Sequence, residues 1–427
     1  MVFKYFLYFC VFAIPFLPQG VGFYLGENLP TIDLPRILMA ILILSWLIKK
    51  TAHGEYFSLS KGKITSFFLL LIFSQFISIF VADKTLQSAV LFCGYLLYYY
   101  FIFFILSDQI KTDGEWKKIV QILVFLSIAL GIIAIIEFLL QQGLYDQFRI
   151  AWLRNPNLDL NFQLWRVKGV IASKGPFGGT QSFGFLFSML FFIGMYGFLA
   201  EKKRTIKIIK LAGAVVIGLG LLTTQVRASV IAVAFTFILS LMLQRLTIKQ
   251  VINTLLTLAI ILISIIIIAQ AVPAGFWQYT FSESVTKVDR QQSTFYKRID
   301  GLKTTLDDIW ERPITGYGTG AVIKHMANIS KFELRSDLPL AIAFYIENGI
   351  MGFFAFLGLV YHVLAGLWRN YQKQKTEILP FYLLLGFIAY FISTLSAPQL
   401  ESSFTFFVLL AYAAYLTREK TTNVSII

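Results

Sequence analysis

The feature that most constrains this chain is a series of long apolar segments that contain almost no charge. In the clearest of them, residues 250–282 include no Asp, Glu, Lys or Arg. A helix needs about 20 mostly apolar residues to cross the hydrocarbon core of a bilayer. Membrane-spanning barrels instead show short segments of alternating polarity, and the segments here are long and continuous. The sequence therefore predicts an all-α polytopic membrane protein.

Composition excludes the main alternatives to a membrane protein. Of the 427 residues, 57% are hydrophobic and 14% are charged, whereas about a quarter of the residues in an ordinary soluble domain are charged. A water-soluble enzyme of this length would have too few charges to cover its surface. Aromatic residues make up 16% of the chain, and disordered or fibrous proteins contain far fewer.

Hydropathy predicts one integral membrane domain over residues 1–427 that is built from about twelve spans. The predicted spans are residues 3–18, 35–48, 63–82, 86–106, 118–140, 178–200, 206–223, 226–244, 251–271, 347–368, 378–397 and 402–417. Two connections are much longer than the rest, residues 141–177 and residues 272–338. Long loops in compact domains often carry binding or catalytic residues, so we expect the active site in the second one.

The distribution of basic residues predicts the orientation of the chain in the membrane. Lys and Arg outnumber Asp and Glu by 37 to 23, for a formal net charge of +14. If the N-terminus is cytoplasmic, 20 basic residues fall in cytoplasmic segments and three, Arg36, Lys84 and Arg227, fall in short outer connections. Cytoplasmic loops carry such an excess. Both termini are therefore predicted to be cytoplasmic and both long loops to lie outside, and nucleic acid is not an expected partner.

No pattern of metal ligands is visible in the sequence. Cys10 and Cys93 lie inside apolar segments, and His53, His325 and His362 are scattered along the chain. Zinc sites usually show Cys or His pairs at short, regular spacings. We expect neither a bound metal nor an organic cofactor.

Ionisable residues at membrane depth are candidates for function because they are costly to place there. Arg227 begins the eighth predicted span, where it is either an interfacial anchor or a fixed cation for an anionic group at the outer leaflet. Glu137, near the outer end of the fifth span, is either a structural partner within the bundle or a functional group. Glu347 opens the tenth predicted span, where it either caps a helix or takes part in function.

The second long loop is the richest stretch for chemistry. Apolar spacing predicts a helix over residues 293–310, and Pro313 is a stop signal beyond its end. The run Gly316-x-Gly318-x-Gly320 follows and allows a close approach of the backbone. Because no strand precedes this run, a dinucleotide site is not predicted. His325, Arg335 and Asp337 follow before the chain re-enters the membrane.

These residues together resemble the O-antigen ligase and O-antigen polymerase family (Wzy- and WaaL-type membrane glycosyltransferases). Three motifs carry the resemblance, in chain order Thr224-x-x-Arg227-Ala228, then Arg298 followed by Trp310-x-x-Pro313-x-x-Gly316-x-Gly318, and Glu347-x-Gly349-x-x-Gly352. They are similar to the family's Ser-Arg-Gly/Ala element, its Arg followed by Pro and a Gly-x-Gly-x-Gly run, and its Glu-x-Gly-x-x-Gly. Upstream, Arg166-Val167-x-Gly169 and Gly178-Gly179 resemble a stretch of the polymerase branch.

The departures from the family pattern favour the polymerase branch over the ligases. Ligases usually carry His-Asn just before the Glu-x-Gly motif, and here Arg335 and Asp337 stand in that stretch without a His. The polymerase branch often has an Asp in place of that His, which corresponds to Asp337. His325 lies closer to the glycine run and matches no family position. Val226 stands where the family commonly has Ser.

The resemblance implies a GT-C-like membrane glycosyltransferase that polymerises a bacterial surface polysaccharide without a metal. The donor would be a glycan linked to undecaprenyl pyrophosphate, used at the outer face of the cytoplasmic membrane, with membrane lipid around the spans. A chain-length regulator and a flippase are the candidate protein partners. The implied catalytic residues are Arg227 and Arg298 as cations for the pyrophosphate and Asp337 as the base. The remaining candidates, for substrate binding or as reserve bases, are Arg166, Arg335, Glu347 and His325.

Two other functions stay open at this point. A ligase would transfer the same donor to lipid A core or to protein hydroxyls, and a deletion strain would then lose polymer attachment rather than polymer length. A transporter or flippase for a lipid-linked anion is the second alternative. Transporters typically have broken helices and polar groups near the bilayer midplane. In this sequence the charges cluster near the outer face and the span centres are nearly free of charge.

Overall fold

The protein is an assembly of apolar helices in the computed structural model. The structure describes residues 2–17, 22–23, 32–54, 56–57, 59, 62–140, 144, 166–167, 170–171, 180–243, 309–322, 338–373, 377–396 and 403–418. The helices are α1 (Val2–Phe16), α2 (Leu34–Ala52), α3 (Lys63–Ile79), α4 (Thr85–Tyr95), α5 (Phe101–Gln109), α6 (Asp113–Leu140), α7 (Thr180–Leu199), α8 (Arg204–Thr223), α9 (Arg227–Leu243), α10 (Leu340–Lys373), α11 (Leu379–Ser393) and α12 (Ser403–Thr417).

A helix overlaps each of the predicted spans except the ninth, residues 251–271, which lies outside the described residues. Within the described part of the chain, five helical segments are long and apolar enough to cross a membrane. They are Thr85–Gln109, Asp113–Leu140, Gln181–Leu199, Arg204–Thr223 and Leu340–Lys373. The structure therefore agrees with a helical membrane protein that crosses the bilayer several times.

Two short antiparallel strand pairs interrupt the all-helical pattern. β1 (Gly22–Phe23) pairs with β2 (Ile32–Asp33) in the connection between α1 and α2. β3 (Arg166–Val167) pairs with β4 (Val170–Ile171) in the first long loop, with Arg166 opposite Ile171. The hydropathy pattern does not predict either pair, because two-residue strands leave no periodic signal.

Helix α7 forms the centre of the bundle. All its residues from 182 to 195 are buried, and it contacts α6, α8, α9 and α11. The α6–α8 contact depends on small residues, since a Cβ at Gly220 would lie only 2.9 Å from the Cα of Gly131. Small residues allow helix backbones to approach closely inside membranes. A second group of contacts joins α3 to α10, and this pair positions the site described below.

Charged residues are paired at the end of the bundle that the sequence predicts to be cytoplasmic. The Asp108 carboxylate is buried, lies 2.9 Å from Lys50 Nζ and accepts a hydrogen bond from Trp46 Nε1 at 2.9 Å. Lys4 pairs with Glu115 at the same end. Removing a charge from water is costly unless the charge is paired, so these pairs make the ends of α2 and α5 compatible with burial.

The segment between α4 and α5 is a π-helical turn, Leu96–Tyr100. A π turn places one extra residue in the helix and often occurs at functional sites. Here it brings the Tyr100 hydroxyl, which is fully buried, to within 2.7 Å of Gln75 Oε1 on α3. The turn therefore connects the middle of the α4–α5 span to the polar residues of α3.

Helix α10 begins at Leu340 and is broken at Gly349, where φ is 64° and ψ is −164°. The prediction that Glu347 opens this span is wrong, because the helix already includes the residues from Leu340 onward. The residues from Leu340 to Ile346 are apolar and belong to the span, whereas the prediction started the span at the charged residue that follows them. Glu347 lies just before the break and its carboxylate accepts hydrogen bonds from the loop backbone, so the alternative in which it caps the start of a helix is wrong.

Candidate functional site

The site is built around the break in α10, onto which residues 312–322 of the second long loop fold. In an unbroken helix the carbonyl of Ile346 would accept from the N–H of Ile350. Here Tyr317 N–H donates to Ile346 O at 2.8 Å, and Gly318 N–H donates to Glu347 O at 2.9 Å. Ile350 N–H donates instead to Pro313 O at 2.9 Å. The loop therefore replaces the hydrogen bonds that the break removes.

Glycine is required on both sides of this contact. A Cβ at Gly349 would lie 2.0 Å from Ile314 O, and a Cβ at Gly316 would lie 2.6 Å from Glu347 O. Both residues also have positive φ, 64° and 68°, where an L side chain is strained. The two glycines allow two backbones to meet without a side chain between them. Two of the motifs behind the family resemblance are thus in direct contact.

The Glu347 side chain is buried and faces the loop. Its Oε1 accepts a hydrogen bond from Val322 N–H at 3.3 Å, and Gly320 N–H contributes a second hydrogen bond. Backbone N–H groups stabilise a buried carboxylate because they supply donors without adding a side chain. Glu347 therefore holds the end of the glycine run against α10.

Thr319, between the last two glycines of the run, is fully buried and connects the loop to three helices. Its Oγ1 lies 2.9 Å from Ser78 Oγ, donates to Gln75 O at 3.0 Å and lies 3.2 Å from Asn348 Oδ1. Its carbonyl accepts from Ser88 Oγ on α4 at 3.0 Å. Ser78 Oγ also donates to Asn348 Oδ1 at 2.9 Å. These contacts place Thr319 beside the last turn of α3.

Two amide groups in this polar cluster have spare donors. The Gln75 and Asn348 side chains are buried, and neither Gln75 Nε2 nor Asn348 Nδ2 has a hydrogen-bond partner among the described residues. Buried polar groups in native proteins are nearly always paired with protein or water. Chemically, the two donors suit hydroxyl, carbonyl or phosphate oxygens.

Arg312 lies at the edge of the site, beside the turn between α3 and α4. Its Nη2 lies 3.0 Å from Asp83 Oδ1 and its Nη1 donates to Val81 O at 3.3 Å, both in the turn between α3 and α4. The guanidinium also lies 4.9 Å from the centre of the Tyr317 ring. Burial and the neighbouring Glu311 carboxylate, which accepts from the Tyr317 hydroxyl, raise the pKa of Tyr317 to about 12. Tyr317 therefore stays protonated at neutral pH and acts as a donor.

Arg227 is placed by the tight turn between α8 and α9. A helix, α9, starts at Arg227, the residue at which the sequence predicts the start of a span. The turn includes Gln225 with φ of 57°, and a Cβ at Gly184 on α7 would lie 2.7 Å from Val226 Cβ. The Arg227 side chain is exposed. An exposed cation is thus present at the start of α9.

The other predicted site residues are placed as follows. Arg166 lies in β3 of the first long loop. Arg298, His325, Arg335 and Asp337 lie outside the described residues. Of the predicted residues, the structure brings Glu347 against the glycine run.

Sequence reasoning missed the polar cluster of Gln75, Ser78, Thr319 and Asn348. A signal existed on α3, because Gln75 and Ser78 are three residues apart and therefore lie on one face of an otherwise apolar helix. Polar side chains at such spacing in a span indicate a partner inside the bundle. Their partner Thr319 is 244 residues away from Gln75 in the chain, so spacing alone could not identify it.

Among the described residues, no three His, Cys, Asp or Glu side chains come close enough together to hold a metal ion. The polar groups of the site are hydroxyls, amides, the Glu347 carboxylate and backbone N–H groups, and Arg312 lies at its edge. Such groups bind hydroxyl-rich or phosphorylated molecules through directed hydrogen bonds.

Comparison with known proteins gives no family: no family model and no curated protein matches this chain. The likeness to the ligase and polymerase family therefore depends on three motifs. Two of them, the glycine run and Glu347-x-Gly349, form the contact at the break in α10. The third places Arg227 at the start of α9.

Proposed function

We propose that this protein is a polymerase of bacterial surface polysaccharide, such as O-antigen, capsule or exopolysaccharide. It would join oligosaccharide repeat units linked to undecaprenyl pyrophosphate at the outer face of the cytoplasmic membrane. The observation that carries the proposal is the contact between Gly316-x-Gly318 and Glu347-x-Gly349. Both motifs belong to the pattern that resembles the polymerase family, and they lie far apart in the sequence.

The proposal includes twelve spans, cytoplasmic termini and an active site on the outer side. Support comes from the two ends of the bundle, because the ion pairs of the lysines lie at one end and the glycine run packs at the other. Lys4, Lys50 and Lys117 make their ion pairs at one end. The glycine run packs at the other end, where a Cβ at Gly318 would meet Ala82 just after α3. The basic end would face the cytoplasm.

In the proposed reaction, a hydroxyl oxygen of the acceptor sugar attacks the anomeric carbon of the donor sugar. A glycosidic bond forms while the bond from that carbon to the pyrophosphate oxygen breaks, and the electron pair leaves with the pyrophosphate. Arg227 and Arg298 would stabilise the charge that develops on the leaving group, with Arg166 and Arg335 as additional cations. The proton of the acceptor hydroxyl would pass to the Asp337 carboxylate.

Glu347 has a different role in this proposal from the one that its position in the sequence suggested. Its carboxylate accepts hydrogen bonds from the backbone at Gly320 and Val322. These hydrogen bonds tie the carboxylate to the loop backbone and hold the end of the glycine run in place. We therefore assign Glu347 to positioning the loop and retain Asp337 as the base, with His325 in reserve.

The test is complementation of a deletion strain with variants at the two proposed phosphate ligands. Arg227→Ala and Arg298→Ala should each abolish the ladder of glycan lengths, while expression measured by immunoblot stays normal. Arg369→Ala is the matched control, because Arg369 is an exposed residue that donates to Ala365 O within α10 at the opposite end. A normal ladder in both Arg227→Ala and Arg298→Ala would contradict the proposal.

The same strain separates polymerase from ligase. A polymerase variant leaves single repeat units attached to the acceptor lipid, whereas a ligase variant leaves long chains on the lipid carrier. Asp337→Asn should lower polymer formation by about 10²- to 10⁴-fold, the usual contribution of a positioned base.

The structure also has one feature that favours a transporter as a second candidate. Broken helices that meet at polar groups are typical of transporters, and α10 is broken at Gly349 beside Asn348. Purified protein in liposomes distinguishes the two functions. Synthesis of a glycan ladder from lipid-linked units would exclude the transporter, and translocation without a ladder would exclude the polymerase.

A further inference from the structure

The segment of residues 309–322 descends into the helix bundle instead of extending into water. Arg312 contacts the backbone of Val81 and the carboxylate of Asp83, in the turn where α3 ends and α4 begins. Thr319 lies deeper, within 3.0 Å of the Gln75 carbonyl. Irregular backbone at membrane depth is tolerated only where protein covers it. Helix α10 provides that cover through the hydrogen bonds at its break.

Two large apolar side chains of this segment point away from the protein. Trp310 is 77% exposed and Ile314 is 72% exposed. They lie two residues on either side of Arg312, so the contact of Arg312 with the α3–α4 turn fixes their height along the bundle. The same turn is bordered by Phe80 and Leu86, which are 69% and 73% exposed. The segment of residues 309–322 and the turn between α3 and α4 thus both present exposed apolar side chains at the same height along the bundle.

We infer that Trp310 and Ile314 insert into the outer interface of the bilayer, where lipid headgroups meet the acyl chains. Trp is enriched at this depth because its ring is apolar and its N–H is polar. Lipid is the occupant that fits, because Phe80 and Leu86, at the ends of two apolar helices on either side of the turn that Arg312 contacts, are exposed as Trp310 and Ile314 are. In water these side chains would form an unfavourable apolar patch.

The inference changes the description of the second long loop. The sequence presents residues 272–338 as one outer loop, but residues 309–322 form a re-entrant segment with a side that faces protein and a side that faces lipid. Thr319 and Glu347 mark the protein side, and Trp310 and Ile314 mark the lipid side. This conclusion takes the outer side from the proposed orientation and does not depend on the proposed reaction.

The test measures the depth of spin labels attached to single cysteines. In full-length protein with Cys10→Ala and Cys93→Ala, Trp310→Cys and Ile314→Cys would be labelled and reconstituted into vesicles of phosphatidylethanolamine and phosphatidylglycerol. Phe125→Cys on α6 is the lipid-facing control, and Lys202→Cys between α7 and α8 is the aqueous control, both at exposed positions. Relaxation by oxygen and by a water-soluble nickel chelate gives the depth.

The expected ratio of oxygen to nickel accessibility at residues 310 and 314 is several-fold above that at Lys202→Cys and below that at Phe125→Cys. A ratio equal to that of Lys202→Cys would overturn the inference, because the segment would then lie in water. Exclusion of both reagents would also overturn it, because protein would cover the patch.

A second measurement uses the native side chain and avoids labelled variants. Lipids with brominated acyl chains quench the fluorescence of nearby Trp. The quenched fraction should be larger in the wild-type protein than in Trp310→Phe, because Trp310 contributes a quenched component. Equal quenching of both proteins would contradict lipid contact at this residue.

Discussion

Thr319 is a single side chain on which the packing of the loop depends. Thr319→Val keeps the shape of the residue but removes the hydroxyl that contacts Ser78, Gln75 and Asn348. Leaving buried polar partners unpaired costs about 1–3 kcal/mol. We expect the variant to lower the thermal unfolding midpoint in detergent, and Thr319→Ser to restore most of the loss.

The chain offers a matched control for this substitution. Thr405 is equally buried, but its Oγ1 has no hydrogen-bond partner among the described residues. Thr405→Val should therefore be neutral or stabilising in the same measurement. If both variants lowered the midpoint equally, the effect would come from the loss of any buried hydroxyl and not from the Thr319 contacts.

The Asp108–Lys50 ion pair is buried and can be compared with an exposed ion pair elsewhere in the protein. Asp108→Ala would leave Lys50 and Trp46 Nε1 without the carboxylate that they contact. Breaking a buried pair from one side costs about 3–5 kcal/mol. We expect a clear fall in the unfolding midpoint of the purified protein.

The Lys117–Glu377 pair is the matched control for Asp108. Its two side chains are about half exposed and their charged atoms lie 3.9 Å apart. Exposed pairs contribute about 0–1 kcal/mol, so Glu377→Ala should change the midpoint little. A larger effect for Glu377→Ala than for Asp108→Ala would show that burial is not what makes the Asp108 pair matter.

At the residue scale, the sequence predicted which side chains are costly but not what they contact. An Arg in an apolar stretch is rare and marks Arg227 as a boundary residue, and α9 begins there. Glu347 was also identified as costly. Its partners, the backbone of Gly320 and Val322, could not be predicted because hydrogen bonds to a distant loop leave no periodic signal in the sequence.

At the scale of elements, the break in α10 is the feature with the strongest requirement on its sequence. Gly349→Ala would place a Cβ 2.0 Å from Ile314 O at a positive φ. Such a residue costs about 1–3 kcal/mol in strain alone, and the backbone contact must also move apart. We expect poor folding yield in detergent and faster proteolysis of the loop.

Gly94→Ala in α4 is the comparison for this prediction. A Cβ there meets nothing within 4 Å, and no positive φ constrains the residue. Ala favours helices over Gly by about 1 kcal/mol, so this variant should fold as well as the wild type. Normal yield and proteolysis of Gly349→Ala would contradict the assigned contact between the loop and the helix.

Hydropathy predicted the elements well where a span is continuous and apolar. Helices α6 to α9 begin and end close to the predicted limits. The pattern failed where a helix is interrupted, at Leu96–Tyr100 and at Gly349, because the apolar content continues through both interruptions. It also assigned residues 309–322 to an outer loop, since Gly, Thr and Arg lower the local hydropathy even when the residues pack against α3.

At the scale of the whole molecule, the orientation in the membrane can be tested directly. Thr85→Cys lies at the start of α4 and Lys202→Cys lies between α7 and α8, and both positions are exposed. If the basic end faces the cytoplasm, an impermeant thiol reagent applied to intact cells with a permeable outer layer should label residue 85 only. Residue 202 should become labelled after the cells are opened. The reverse pattern would invert the orientation.

The exchange of hydrogen bonds at Gly349 has a consequence for how the protein can be built and rebuilt. The ribosome completes residues 312–318 before α10, so the loop is already available when the carbonyls of Ile346 and Glu347 need donors. An α10 peptide made alone would lack those donors, so it could keep the break only with unpaired carbonyls, which a bilayer does not tolerate. A chimaera that exchanges the loop must therefore also exchange the first turns of α10, because the two segments complete each other's backbone hydrogen bonds.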